Sequence, residues 1–303
     1  MDVLDPFEEL KARYKSMYLN VVVAVASLTL LFAEYLQTLD LEVSLVWPVR
    51  WGFVKILYLV NRIFPFLIIP FSLYYNLVED PAPEVCRITF AVLCMGVLTC
   101  MWLAEGVLYI RVYALSGQSP WILTFIVFNG LAVFVGSMTL LGRYVFLGTW
   151  EVTTQPTPPG CFSSLPEGQL IMIAYVLVLY SGFMTMILCL YYGFRMYWTE
   201  RETGRLIKIF YRDGAIYFVI LSAMSIANAV AALFLPSRYR FLLAPPQAVA
   251  HSTLSIRMIL HLREGARKQM GFGTNEPRAT MTWEWSGTTT SQPFMATPYR
   301  PRA

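Results

Sequence analysis

A chain of 303 residues with 57% hydrophobic and only 14% charged side chains has too little polar surface for a water-soluble protein, since soluble domains carry about 25% charged residues. A mean hydropathy of +0.54 agrees with that exclusion. The formal net charge of +4 comes from basic residues dispersed along the chain. They are not interleaved with aromatics on a polar face, so nucleic acid is not among the expected partners.

Seven apolar stretches account for most of the chain, over residues 18–37, 53–75, 88–110, 121–142, 170–192, 214–235 and 241–260. Each reaches the roughly 20 residues that a ~30 Å hydrocarbon core demands of a helix. Val21 to Phe32 and Ile171 to Leu179 run without the apolar–polar alternation of a barrel strand, which favours helices. The expected fold is all-α, a bundle of seven transmembrane helices over residues 1–264. A disordered cytoplasmic tail over 265–303 follows.

The first stretch is read as a retained span and not a cleaved signal. Asp2, Asp5, Glu8 and Glu9 precede it alongside Lys11, Arg13 and Lys15, and its apolar run exceeds the 7 to 15 residues of a signal core. Span two carries Arg62 near its middle, and span three carries Glu105 in its inner half. A charge at a helix centre costs about 2.5–3.5 kcal/mol on insertion scales, so each needs a partner. Their similar depths suggest an Arg62–Glu105 pair, with Glu34 of span one as the competing acid. A structural clasp between helices is favoured there over a switch or an ion-coupling site. Asn61, Asn129 and Asn228 are expected to hydrogen-bond across helices. Pro65 and Pro70 should kink span two, as Pro245 and Pro246 should span seven.

Cys86 lies just before span three and Cys161 in the connection between spans four and five. Both fall on the oxidising side if the amino terminus is outside, so a disulfide is expected between them. Arg111 falls where span three leaves the bilayer, and snorkelling to the headgroups is its ordinary role. Trp121 and Trp150 lie at span ends, as interfacial aromatics do. The connection 151–167 contains Pro156, Pro158, Pro159, Gly160 and Pro166 and cannot be helical.

Orientation follows from the loop charges. With the amino terminus outside, the inner connections hold eleven Lys and Arg and the outer segments seven, and the connection 193–213 alone holds five of the eleven. That basic connection and the tail are candidate docking points for a cytoplasmic protein. Arg111, Arg212, Asp213 and Arg257 are the candidate residues for coupling at the inner face.

Tyr35, Leu36, Thr38, Leu39, Glu42, Val43 and Trp47, with Arg50, Trp51, Lys55, Leu57, Asn61 and Arg62, resemble the first block of an uncharacterised basidiomycete fungal family of integral membrane proteins. That family is catalogued only as a domain of unknown function. Arg111 to Leu115, Gly160 with Cys161, Arg212 to Phe218 and Ser255 to Glu264 resemble its later blocks in order. The resemblance spans about residues 20–265 and implies seven spans without an assigned activity. The topology is also similar to that of G-protein-coupled receptors, but Ile110 stands where an acid would precede Arg111, and span seven has no Asn-Pro-x-x-Tyr. Span seven has no lysine for a retinal either.

No metal cluster, nucleophilic triad or phosphate loop is readable, so no catalytic, metal or cofactor-binding residues are assigned and an enzyme is not expected. His251 and His261 stand ten positions apart on span seven. Internal repeats of the transporter kind are not visible. The expectation is therefore a multi-pass integral membrane protein, receptor-like, that senses an external small ligand and signals through its inner loops. The alternative is a transporter of a small solute. The plasma membrane fits either reading without being selected by it.

Overall fold

The structure is a computed structural model that describes residues 6–79, 82–150, 160–161, 163–164, 168–199 and 204–269. Seven long helices follow one another: α1 Pro6–Leu45, α2 Phe53–Leu77, α3 Pro83–Leu115, α4 Pro120–Leu147, α5 Gln169–Thr199, α6 Gly204–Phe234 and α7 Ala244–Gln269. Every apolar stretch lies within, or nearly within, one of them. Short connections join them except between α4 and α5, which residues 148–168 separate; neighbours run antiparallel and the bundle has two ends. The disulfide marks one end, and the C-termini of α1, α3, α5 and α7 mark the far end.

The helices outrun the apolar stretches because hydrophobicity reports where lipid ends, whereas the hydrogen-bond ladder stops only at a breaker. α1 has 40 residues, about 60 Å at 1.5 Å per residue, twice the thickness of the hydrocarbon core. The connection expected over 193–213 is mostly helix, with α5 and α6 separated by residues 200–203 alone. α7 continues to Gln269, past residue 265 where the tail is expected to begin; residues 270–303 lie outside the described residues.

Six of the helices, α1 to α6, are long and apolar enough to cross a membrane. α7 is as long but more polar, carrying Gln247, His251, Ser252, Ser255 and Arg257. It nevertheless packs against α1, α2, α3 and α6, and several of its polar groups bond to those neighbours. Ser252 Oγ donates to the Asn61 carbonyl of α2 (2.6 Å), and Asn61 Nδ2 donates to Ser255 Oγ (2.8 Å). On α6, Asn228 donates to Gln247 Oε1, which sends its own amide to Ser225 Oγ (2.8 Å). Asn61 and Asn228 therefore bridge helices as expected.

The proline expectations divide. Pro65 and Pro70 lie inside α2, which continues through both. Pro245 and Pro246 do not kink α7, because the helix starts at Ala244 and the first turn has no intrahelical donors to lose.

Between the disulfide end and the middle, the core is tightly apolar. Ile69, Phe90, Cys94, Val97, Tyr144, Ile171, Ala174, Ala248 and Val249 are buried together there. An aromatic group caps it: Phe90 meets Trp150 at 5.3 Å and Phe241 at 5.1 Å between ring centroids, and Tyr75 meets Phe90 at 5.6 Å. Trp150 is thus part of the cap and not a lipid anchor, whereas Trp121 is exposed as an anchor should be.

Cys86 and Cys161 form the expected disulfide, with Cα atoms 5.5 Å apart. The same loop is pinned by its backbone: Gly160 N–H donates to the Val78 carbonyl (2.7 Å), and Cys161 N–H donates to that of Tyr75 (3.0 Å). Gly160 has φ +111°, and a Cβ there would lie 2.7 Å from the Asn76 carbonyl oxygen. Only glycine fits. Next to it, Thr149–Trp150 (β1) pairs antiparallel with Ser163–Ser164 (β2).

Candidate functional site

Buried charge in the bundle gathers in two places. The first lies between α1 and α2. Tyr35, Thr38 and Glu42 are spaced three and four apart, which places them on one face of α1. Arg62 of α2 lies against that face. Its guanidinium forms an ion pair with Glu42, donates to Thr38 Oγ1 (2.8 Å) and to the Tyr35 carbonyl (3.0 Å), and lies over the Tyr35 ring at 4.4 Å. Tyr58 Oη and Trp47 Nε1 stand at 3.5 and 3.4 Å from the Glu42 carboxylate.

The expected Arg62–Glu105 pair is therefore not formed. Glu42 was counted beyond the first span, but α1 continues past it to Leu45 and carries the carboxylate to Arg62. The competing acid, Glu34, is taken by Arg257 of α7, at 2.6 and 2.9 Å from its two oxygens. Gln37 Oε1 accepts a further bond from Arg257 (3.0 Å). Below the clasp, Lys55 Nζ donates to the Trp47 and Val49 carbonyls (3.0 and 2.7 Å) and closes the α1–α2 turn.

The second place is a cavity of about 90 Å3 between α3, α5, α6 and α7. Its walls combine Leu, Met, Val and Phe side chains with polar ones, Glu105, Arg111, Thr185, Ser222, Ser225 and His251 among them. Since about 10–15 Å3 of such volume holds one water, there is room for several waters or a small organic molecule. Glu105 is only 4% exposed. Its Oε2 accepts from Ser181 Oγ (2.6 Å) and Tyr109 Oη (3.1 Å). The Tyr109 ring lies so close to Gly130 of α4 that a Cβ there would stand 2.6 Å from it. Glu105 is thus held from α3 and α5, and its other oxygen, Oε1, has no partner.

Arg111 also departs from expectation. It is buried, and its Nη2 donates to the Met258 carbonyl of α7 (2.9 Å). α3 runs on to Leu115, so residue 111 is still inside the bundle and does not snorkel. Arg257 likewise joins α7 to α1. Arg212 and Asp213 lie on α6, but their side chains are outside the described residues. The sequence-predicted residues therefore divide between the two places: Arg62 in the clasp, Glu105 and Arg111 at the cavity, Arg257 in a third tie. Glu42 and His251 were missed as site residues; the 35, 38, 42 spacing was the available signal for the first, and nothing in spacing marks the second.

These features define a multi-pass, all-helical membrane protein with one disulfide. Residues 22–67 match a family of unknown function (DUF6533). That segment runs from within α1 through the turn into α2 and contains the whole Glu42–Arg62 clasp, the first of the resembling sequence blocks. No curated protein matches the chain.

Proposed function

We propose that the chain is a seven-span sensor with its amino terminus outside, in which a small ligand held among α3, α5, α6 and α7 sets the positions of their far ends and so signals through the inner connections. The observation that carries this reading is the place of the cavity. Its lining reaches from Met258 and Arg111 up to Ala104, Val178 and His251, and beyond it towards the disulfide lies the packed layer of Cys94, Val97, Ala174 and Ala248 under the aromatic cap. A transporter would have to open that layer, beside the Cys86–Cys161 disulfide, in every cycle. A sensor needs only to shift helix ends that already meet at the cavity. The seventh span is supported by the way Gln247, Ser252 and Ser255 of α7 bond to α2 and α6, as polar side chains facing neighbouring helices in a membrane do. The basic connection after α5 fits the cytoplasmic face.

The test is a distance measurement on the full chain in nanodiscs, with spin labels at Gln118→Cys and Arg267→Cys, two exposed positions near the far ends of α3 and α7. Occupancy of the cavity should change the distance distribution, and Arg111→Ala should remove that response without loss of expression. Ligand-independent flux of a small solute through the protein in liposomes would replace sensing by transport.

A further inference from the structure

Among the described residues, three buried polar atoms that can accept a hydrogen bond and line one cavity have no partner: Glu105 Oε1, Ser222 Oγ and His251 Nε2. An unpaired buried polar atom is costly, and more so if it is charged. Three around one space point to something that fills it. Two of the three can be levelled against one another. The Arg111–Met258 bond fixes the register of α3 against α7, which run in the same direction. Glu105 lies six residues from Arg111 and His251 seven from Met258, so at ~1.5 Å per residue they stand about 9 and 10.5 Å beyond that tie. They share one depth.

The charge balance gives the ligand its sign. Among the buried and half-buried acids of the bundle, Glu42 has Arg62 and Glu34 has Arg257. Glu105 has only the hydroxyls of Ser181 and Tyr109, and the cavity's own cation, Arg111, is about 9 Å further along α3 and committed to the Met258 carbonyl. A carboxylate so placed lacks a counter-ion among the described residues. A primary ammonium supplies one, and it brings three N–H donors to three unclaimed atoms. The carboxylate and the hydroxyl accept as they stand, and His251 Nε2 accepts when the imidazole proton is on Nδ1. The apolar walls take the rest of the molecule. An engineered cavity of about 150 Å3 takes benzene, with six carbons, so the 90 Å3 here suits about four.

We infer that the cavity between α3, α5, α6 and α7 is a binding site for a small primary amine with a short apolar body, its ammonium held by Glu105 with His251 and Ser222. This rests on the sensing reading for its consequence, though not for its chemistry. The test is ligand-observed NMR and calorimetric titration of the full chain in nanodiscs with n-butylamine, and with n-butanol and butyrate as the neutral and anionic counterparts. The amine should bind saturably and at least about tenfold more tightly than the alcohol, because a charged hydrogen bond is worth roughly one to two decades of affinity. Glu105→Gln should remove that margin. Ser222→Ala, a milder change at a half-buried position, should weaken the amine about threefold to tenfold, and carries the test if Glu105→Gln does not fold.

Equal binding of amine and alcohol, an unaltered amine affinity in Glu105→Gln, or no saturable binding at all, as when water alone fills the cavity, overturns the assignment. The spin-label distance between positions 118 and 267 separates the two claims. Amine binding with no change in distance leaves the site standing and ends the sensing reading. A response to the alcohol without preference for the amine does the reverse.

Discussion

The α1–α2 clasp and the α3–α5–α6–α7 cavity use the same material, a carboxylate buried among helices, with opposite results. In the clasp every strong group is answered: Glu42 by Arg62, and Arg62 further by Thr38, the Tyr35 carbonyl and the Tyr35 ring. At the cavity Glu105 keeps one oxygen unanswered, and Ser222 and His251 do the same. A saturated charge network holds helices in register, whereas an unsaturated one beside empty volume has valence left for a ligand. The distinction lies in the partners and not in the residue types. The family match over residues 22–67 covers the clasp and none of the cavity-lining residues.

The comparison breaks most readily at the clasp. Glu42→Ala leaves Arg62 buried without its counter-charge, which should cost about 3–5 kcal/mol, read as a large drop in thermal midpoint and in folded yield. Replacing both Glu42 and Arg62 by Met should recover much of that loss; if the double variant is no better than the single one, the pair is not the source of the effect. The disulfide comes next. Cys86→Ser should cost about 2–4 kcal/mol, and thiol reagents should label Cys161 in that variant while failing to label either cysteine in the unreduced parent. Gly160→Ala follows, with roughly 1–3 kcal/mol from a strained backbone and a measurable slowing of oxidative closure of the Cys86–Cys161 bond. The smallest effect belongs to the α6–α7 tie, where Asn228→Ala should cost only about 0.6 kcal/mol. An Asn228 effect as large as that of Glu42 would erase the contrast between charged and neutral ties.

Much of the fold was legible because lipid imposes a simple rule on sequence. Continuous apolar runs of about twenty residues have one structural solution, and each of the seven fell in its own helix. The Cys86–Cys161 bond was legible for a similarly plain reason, two cysteines outside the spans on one side. What hydrophobicity conceals is where a helix goes after it stops being apolar. Glu42 and Arg111 both lie in such extensions, the one beyond the apolar stretch 18–37 and the other just past 88–110, and both are buried against neighbours. The mispairing of Arg62 with Glu105 has the same origin. Equal depth is a necessary condition for a pair, but which faces meet depends on helix rotation and on neighbours far along the chain, and no single sequence states either. The cavity was not legible at all, since His251, Ser222 and Glu105 come from three helices and share nothing but the space they enclose.

Thermal unfolding of the full chain with and without saturating n-butylamine, for the parent, Glu42→Gln and Glu105→Gln, puts the division of labour to the most direct test. A ligand bound only by the folded state raises the midpoint through mass action. Glu42→Gln should lower the midpoint and keep the amine-dependent rise; Glu105→Gln should keep the midpoint near that of the parent and lose the rise. Loss of the rise in Glu42→Gln with its retention in Glu105→Gln would contradict the account, and would move the ligand site to the clasp.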